Sequence, residues 1–271
     1  MYPVLFKIGN FTIYTYGVFV FLAIITGYIF VLKQAKKERI NEKIFSDIIF
    51  WSIIMGFIGA RIVYILVEFK NFLKNPFAFI FSRGGFVFYG GLIFGVLTFL
   101  ILTKKYKQSF LKLADLVSMA IPLAHSIGRI GCFFNGCCYG KPTKAFWGIK
   151  FPPYTLAGAG GEKVIPTQLI SSFLLFLLFI FLVNFKKRKK FDGELFLLYL
   201  IIYAIFRFFI EFLRGDERGY IGIFSTSQFI SLIILFIALP FYIYHRRYRP
   251  FFPRDEKNCN LTESFENDMS S

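Results

Sequence analysis

The amino-acid sequence predicts an all-α integral membrane protein with about seven transmembrane helices. Hydrophobic residues make up 56% of the 271 positions, and Phe alone accounts for 40 of them, which is too apolar for a soluble domain. The net charge of +16 lies in short basic clusters between apolar runs. Such clusters are typical of membrane topology signals and not of a nucleic-acid-binding face. We therefore expect the membrane bilayer as a partner and no nucleic acid.

The chain contains seven apolar runs of the roughly twenty residues that a membrane span requires. They cover about residues 12–32, 45–68, 85–103, 113–134, 166–185, 194–213 and 223–244. Basic clusters follow the first, third, fifth and seventh runs, so the positive-inside rule puts the N-terminus outside and the C-terminus in the cytoplasm. We assign residues 1–250 to a transmembrane domain and residues 251–271 to a polar, disordered cytoplasmic tail.

The first and third runs each carry a tyrosine beside glycine. Tyr16 precedes Gly17, and Tyr89 lies between the pairs Gly84-Gly85 and Gly90-Gly91. The glycines indicate either close helix packing or a broken helix that exposes a tyrosine hydroxyl to a cavity. A tyrosine near the membrane boundary also serves as an interfacial anchor. Both tyrosines are therefore candidates for a site and for an anchor.

The fourth run is more polar than a lipid-facing helix. It contains Asp115, Pro122, His125 and Arg129, and a charged side chain at bilayer depth costs about 2.5–3.5 kcal/mol. We expect this run to be interior or broken. It leads into the longest loop, residues 135–163, which the predicted topology places on the outer face.

Three cysteines lie at the end of the fourth run and just after it. The spacing of Cys132, Cys137 and Cys138 lacks the Cys-x-x-Cys pair of common zinc and redox sites. Adjacent cysteines are also awkward ligands for one tetrahedral ion. We expect packing or a structural disulfide here, no metal site and no cofactor.

Charged residues also occur inside the second and sixth runs. Arg61 lies in the second, and Arg207, Glu211 and Arg214 in the sixth. The spacing i, i+4, i+7 puts the last three on one helical face. An interhelical ion pair is one interpretation. With Arg129, however, the cluster carries surplus positive charge, and guanidinium groups bind phosphate bidentately. A phosphate at this depth belongs to a lipid headgroup.

Together these motifs resemble the prolipoprotein diacylglyceryl transferase family. The segment Gly128-Arg-Ile-Gly-Cys-Phe-Phe-Asn-Gly-Cys-Cys-Tyr-Gly-Lys-Pro-Thr143 is similar to its signature G-R-x-G-N-F-x-N-x-E-x-x-G-R-P-T. Gly85-Phe-Val-Phe-Tyr89-Gly-Gly-Leu-Ile resembles its G-G-x-x-F-H-G-G-L-I block, and Arg207-Phe-Phe-Ile-Glu211-Phe-Leu-Arg214 its R-F-x-x-E-F-x-R block. The resemblance covers nearly the whole chain.

The resemblance implies a multi-pass enzyme of the bacterial cytoplasmic (inner) membrane with its active site toward the outer face. Such an enzyme transfers the diacylglyceryl group of phosphatidylglycerol to the thiol of the lipobox cysteine in a prolipoprotein signal peptide. A thioether forms and glycerol phosphate is released. By resemblance, Arg129 and Arg207 hold the phosphate, Asn135 and Tyr16 position the headgroup, and Glu211 orients an arginine.

The sequence departs from the family at four polar positions, one of them Ile165 where the family often has histidine, and it retains Gly140, which the resemblance assigns to substrate binding. Tyr89 stands where the family has histidine, Cys132 where it has asparagine, and Cys137 where it has glutamate. A tyrosine, with a pKa of about 10, is a poor base. We therefore consider His125, one helical turn before Arg129, as the replacement base.

Two other functions fit these departures. One is a non-catalytic relative that binds anionic lipid, and the other is a membrane thiol oxidoreductase that uses Cys132, Cys137 and Cys138.

Overall fold

The structure, a computed structural model, describes residues 3–9, 11–81, 85–216 and 219–248. The predicted tail (residues 251–271) and Gly84 lie outside the described residues. Within the described ranges, seven helices are long and apolar enough to cross a membrane. The predicted all-α integral membrane fold is therefore confirmed.

Short strands and turns connect the membrane-spanning helices. In chain order the elements are β1 (Val4–Ile8), β2 (Phe11–Tyr14), α1 (Thr15–Lys37), α2 (Glu42–Val67), α3 (Phe69–Lys74), α4 (Pro76–Phe81), α5 (Phe88–Lys105), α6 (Phe110–Asn135), β3 (Ile149–Lys150), β4 (Lys163–Val164), α7 (Thr167–Phe185), α8 (Glu194–Phe212), β5 (Tyr220–Ile221), β6 (Phe224–Ser225) and α9 (Thr226–Tyr248). Each sheet is an antiparallel pair, formed by β1 with β2, β3 with β4, and β5 with β6. The helices α1, α2 and α5 to α9 are the spans.

Helix ends differ from the predicted runs in two ways. α1 begins only at Thr15, because residues 11–14 pair with β1 in a hairpin. α1 and α5 continue to Lys37 and Lys105, since lysine is a good helix former and its charge suits a helix C-terminus. We call the end of the bundle at which α1, α5, α7 and α9 finish the basic end.

α6 is the central helix, packed against α1, α7 and α8. Half of its apolar stretch is buried (50%), so its predicted interior position is confirmed. The alternative expectation, a broken helix, is not observed: α6 is continuous from Phe110 to Asn135 with Pro122 inside. A proline is tolerated here because neighbouring helices enclose it and compensate for the lost hydrogen bond.

α2 and α5 pack closely through glycines. A Cβ atom added at Gly90 would lie 2.6 Å from the carbonyl oxygen of Gly59, and one at Gly91 would lie 3.1 Å from that of Gly56. These distances confirm close helix packing as the role of the glycines that follow Tyr89.

The hydrophobic core lies toward the basic end. Its fully buried side chains include Phe45, Ile48, Leu113, Met119 and Leu195. Lipid-facing positions instead expose Phe, Ile and Leu, as expected of helices whose solvent is hydrocarbon.

Buried ion pairs join the helices at the basic end. Asp115 of α6 accepts hydrogen bonds from the backbone N–H groups of Gly193 (2.8 Å) and Phe196 (2.9 Å) and pairs with Lys189 at 2.8 Å. Burial acts against the charge of Lys189, but the carboxylates of Asp115 and Asp192 outweigh it and raise the pKa of Lys189 above its usual value. Asp115 therefore caps the first turn of α8, and its charge also neutralises that of Lys189, which lies in the turn before this helix.

Two further pairs complete this network. Arg246 of α9 pairs with the buried Glu194 of α8 at 2.6 Å, and Lys186 pairs with Glu38 beyond α1 at 2.9 Å. α1, α6, α8 and α9 are thus tied together at the basic end.

Candidate active site

The opposite half of the bundle contains a cavity between α6, α7 and α8. Its volume is about 20 Å³, and its polar lining comes from His125 and Arg129 of α6, Ser171 of α7, and Tyr203 and Arg207 of α8. The two arginines predicted to bind phosphate therefore face one space, and His125 lies with them.

Arg129 and His125 are joined by a hydrogen bond. The Nε atom of Arg129 donates to Nε2 of His125 at 3.2 Å, one helical turn away. The Nε2 atom is therefore unprotonated, and the imidazole is neutral with its proton on Nδ1. The ring of His125 also lies 5.8 Å from that of Tyr203, between ring centroids.

The guanidinium of Arg207 is held in place by two side chains, those of Glu211 and Ser227. Its Nη1 atom pairs with Oε2 of Glu211 at 2.5 Å, and its Nη2 atom donates to Oγ of Ser227 at 2.6 Å. The side chains of Arg207 and Glu211 are only 12% and 5% exposed. Glu211 thus pairs with Arg207, while Arg129 and Arg207 together exceed the charge of this one acid.

The predicted helical face of Arg207, Glu211 and Arg214 is wrong at its last member. α8 ends at Phe212, and the chain then turns so that Arg214 forms a β-bridge with Gly140. The guanidinium of Arg214 pairs instead with Asp216, through hydrogen bonds of 2.7 and 2.6 Å. These bonds outweigh the effect of burial and raise the pKa of Arg214.

Gly140 has a packing role in the described structure. A Cβ atom there would lie 2.6 Å from Cβ of Ile165 and 2.7 Å from the carbonyl oxygen of Leu213. The backbone of the loop after α6 is therefore in direct contact with the backbone at the end of α8. This contact explains the glycine, and substrate binding by Gly140 stays a prediction.

Tyr16 lies against α6 beside the signature segment. Its ring would be 3.4 Å from a Cβ atom at Gly131, the residue before Cys132. It is 42% exposed. The structure therefore places Tyr16 against the turn of α6 that contains Gly131 and Cys132.

Tyr89 and Asn135 differ in their relation to the cavity. Tyr89, in the first turn of α5, is 44% exposed and has its ring 5.6 Å from that of Phe88. No residue of α5 lines the cavity described above. Asn135 is the last residue of α6, and its side chain lies within hydrogen-bonding reach of Cys137.

The three cysteines meet in space. The Sγ atoms of Cys132, Cys137 and Cys138 lie within 4.8 Å of one another, and all three are free thiols, so of the two expectations, packing or a structural disulfide, the disulfide is not formed. Gly136 and Cys138 have positive φ angles of 67° and 61°, and this left-handed turn brings the adjacent cysteines together. In the described part of the chain, they form the one group of three or more potential metal ligands.

Charge and hydrogen bonding act on this thiol group from its surroundings. Hydrogen bonds from Cys132 and Cys137, together with the charge of Arg214, hold the pKa of Cys138 well below its usual value. The side chain of Gln168 donates to the carbonyl oxygen of Cys137 at 2.7 Å. Arg214 and Gln168, which both lie outside this loop, therefore contact it and stabilise its conformation.

Arg61 serves a different purpose. It donates to the carbonyl oxygens of Gly85 (3.0 Å) and Phe79, and its guanidinium lies over the ring of Phe86. It fixes the connection between α2 and α5, outside the cavity lining.

Sequence reasoning missed three polar residues of the site. Tyr203 and Ser171 line the cavity, and Ser227 holds Arg207. Tyr203 precedes Arg207 by four residues, so helical spacing could have revealed it. Nothing in the sequence links Ser227 to a residue twenty positions away.

Comparison with known proteins gives consistent matches. A family model described as prolipoprotein diacylglyceryl transferase matches residues 3–244. A phosphatidylglycerol–prolipoprotein diacylglyceryl transferase of Clostridium tetani is 41% identical over 239 residues, covering 88% of this chain and 96% of the relative. A second such protein, from Clostridium perfringens, is 43% identical over 234 residues (86% and 91%). One from Finegoldia magna is 39% identical over 246 residues (90% and 96%).

Proposed function

The chain belongs to the prolipoprotein diacylglyceryl transferase family, and from this membership we propose how its residues act on phosphatidylglycerol and a prolipoprotein. It is a multi-pass membrane enzyme that transfers the diacylglyceryl group. The family and the names of its relatives do not favour a thiol oxidoreductase or a non-catalytic lipid-binding protein.

We propose that Arg129 and Arg207 hold the phosphate of phosphatidylglycerol. The observation that carries this proposal is that the two arginines, from two helices, line one cavity. Glu211 and Ser227 fix Arg207 from one side, which leaves its planar group pre-oriented. Because donors fixed in advance stabilise developing charge without reorganisation, this pair favours departure of glycerol phosphate.

The proposed reaction joins a thiol sulfur of the prolipoprotein to the lipid. The thiolate of the lipobox cysteine attacks the glycerol carbon that bears the phosphate. A sulfur–carbon bond forms as the carbon–oxygen bond breaks, and the electron pair of the broken bond stays on the phosphate oxygen. The enzyme must therefore bind the phosphate, place the thiol and remove its proton.

His125 is our candidate for the base. In the described state its Nε2 lone pair accepts from Arg129, so the lone pair becomes available when Arg129 turns to a phosphate. Lipid binding would then precede deprotonation of the thiol. Tyr89 remains the alternative, although α5 lies outside the cavity lining.

The remaining site residues position the substrates. Tyr16 and Asn135 flank the signature segment and are proposed to hold the headgroup glycerol, since both carry hydrogen-bonding groups near Arg129 or the thiol group. Glu211 orients Arg207, and Gly140 lets the loop approach α8.

We also propose the location of the enzyme. In the bacterial cytoplasmic membrane the basic end would face the cytoplasm, by the positive-inside rule. The cavity, in the other half of the bundle, would then open toward the outer face, where the lipobox cysteine of a prolipoprotein arrives.

The first experiment measures transfer of labelled diacylglycerol from phosphatidylglycerol to a lipobox peptide, with the protein in nanodiscs. We expect Arg129→Ala and Arg207→Ala each to lower the rate at least about 100-fold, because each removes a donor to the developing phosphate charge. Full activity in either variant would refute the proposed phosphate site.

Arg247→Ala is the matched control. Arg247 is an exposed arginine near the end of α9, at the basic end of the bundle. Its removal changes the net charge by the same amount and should leave the transfer rate unchanged.

A further inference from the structure

The three thiols of Cys132, Cys137 and Cys138 form a concave group of soft ligands beside the phosphate site. Cys132 follows Arg129 by three residues on α6, so both lie on one face of the helix. Tyr16 lies against the same turn, and Arg214 lies within hydrogen-bonding reach of Cys138. The thiol group therefore borders the residues proposed to bind the lipid headgroup.

We propose that Cys132, Cys137 and Cys138 together bind one Zn²⁺ ion, whose fourth position takes the thiol of the prolipoprotein. This inference rests on the proposed transferase function, since it names the device that places the substrate thiol. It assigns a function to the two signature positions at which this sequence has cysteine instead of asparagine and glutamate.

The geometry fits a three-thiolate site. Zinc–sulfur bonds of about 2.3 Å place tetrahedral ligands roughly 3.8 Å apart. The Sγ atoms already lie within 4.8 Å of one another, so closure requires movements of at most about 1 Å. Such movements need only side-chain rotation, because the left-handed turn at Gly136 and Cys138 has already brought the backbone into place.

The surroundings fit the charge of such a site. Three thiolates and one Zn²⁺ carry a net charge of −1, and Arg214 lies beside Cys138 as a buried cation. The backbone of the loop is also fixed, because Thr167 donates to the carbonyl oxygen of Cys138 at 2.9 Å and Gln168 to that of Cys137. Outer contacts of this kind orient the ligands of a metal site.

The fourth position is available to a substrate. In the described ranges no fourth His, Cys, Asp or Glu joins the group, and catalytic zinc sites likewise combine three protein ligands with one open position. A thiol bound to the ion loses its proton, which passes to His125 once Arg129 has turned to the phosphate. The bound sulfur then forms the sulfur–carbon bond while the electron pair of the carbon–oxygen bond leaves with the phosphate oxygen.

The first test measures zinc binding by the full chain in nanodiscs under anaerobic, reducing conditions. We expect about one Zn²⁺ per chain. Competition with a chromophoric chelator should show at least about tenfold weaker binding for Cys132→Ser and for Cys137→Ser, because even outer contacts of a metal site are worth that much. Equal zinc content in the wild type and the triple Cys→Ser variant would overturn the proposal.

Cys259→Ser is the matched control. Cys259 is the fourth cysteine of the chain and lies in the polar tail that follows the seventh apolar run, so its replacement should change neither zinc content nor affinity.

A spectroscopic test needs no variant. With Co²⁺ in place of Zn²⁺, wild type should show thiolate-to-cobalt charge-transfer absorption. A lipobox peptide should shift the visible cobalt bands, whereas the same peptide with serine at the lipobox cysteine should not. Absence of the charge-transfer band would overturn the metal site, and absence of a peptide effect would overturn the role of the fourth position.

Transfer activity separates this inference from the proposed function. Removal of zinc by a chelator should abolish transfer, and added Zn²⁺ should restore it. Full transfer by metal-free protein would refute the inference and leave the transferase standing. Zinc and thiol binding without any transfer from phosphatidylglycerol would instead refute the proposed function.

Discussion

At the scale of single residues, the hydrogen bond between Arg129 and His125 determines what the histidine can do. A neutral imidazole that accepts from a guanidinium has no free lone pair at Nε2. Whether Nε2 of His125 can accept a proton therefore depends on whether Arg129 is bound to a phosphate. The two residues act as one unit, and the substrate changes the state of both.

Replacing His125 separates a base from a positioning group. His125→Gln keeps an acceptor for Nε of Arg129 but cannot take a proton at neutral pH, so we expect transfer to fall about 100-fold or more with the KM for phosphatidylglycerol unchanged. His125→Leu removes the acceptor as well and should raise that KM. The measurement is steady-state transfer to a lipobox peptide.

The contrary outcome is clear. Full activity in His125→Gln would exclude His125 as the base and would leave it the task of orienting Arg129, a role that the KM of His125→Leu measures independently.

Sequence reasoning identified the arginines of the site because charge at membrane depth is costly and needs a reason. It failed where the backbone conformation determines which side chains come together. Arg214 was expected on a helical face, but the helix ends two residues before it. The thiols of Cys137 and Cys138 converge because Cys138 adopts a left-handed conformation, which is uncommon for a residue with a side chain and leaves no sequence signal.

At the scale of elements, Asp115 links α6 to α8. It caps the first turn of α8 and pairs with Lys189, so one side chain from the central helix fixes the start of a neighbour. Since α8 carries Arg207 at its other end, the register of α8 against α6 also sets the distance between Arg207 and Arg129.

Asp115 and Asp192 offer a matched comparison, because both pair with Lys189. Asp115 is 1% exposed and Asp192 51% exposed in their side chains. We expect Asp115→Ala to cost about 3–5 kcal/mol of stability, since it removes the buried partner of Lys189 and leaves two backbone N–H groups without an acceptor. Asp192→Ala should cost less than about 1 kcal/mol.

Unfolding with increasing mole fractions of SDS measures both variants. Equal stability of the two would show that Asp115 contributes no more than a surface ion pair.

All seven spans were predictable because each must present about twenty apolar residues to lipid. The small antiparallel pairs were not predicted, since strands of two to five residues leave too short a pattern. The sequence left open whether α6 is interior or broken, and only the structure shows that it is continuous. Pro122 disrupts a helix in water, but α6 is enclosed by neighbours that compensate for the lost bond.

At the scale of the whole molecule, the direction in which the cavity faces follows from charge. We expect a membrane-impermeant maleimide to label Phe146→Cys, in the exposed loop after α6, on intact cells. Lys187→Cys, at the basic end, should be labelled only after the membrane is permeabilised. The parent protein gives the background from its own thiols, and the reverse labelling pattern would contradict the proposed orientation.

The ion pairs of Asp115, Glu194 and Glu38 all lie at the basic end, whereas the cavity lies in the other half of the same helices. For α8, these ion pairs act at the end near the basic end of the bundle, far from Arg207. α8 has 19 residues and is about 28 Å long at 1.5 Å per residue. A tilt of roughly 5° about the ion pairs would move its far end by about 2.5 Å. The distance between the two arginines can therefore adapt to a phosphate without loss of a single buried charge pair.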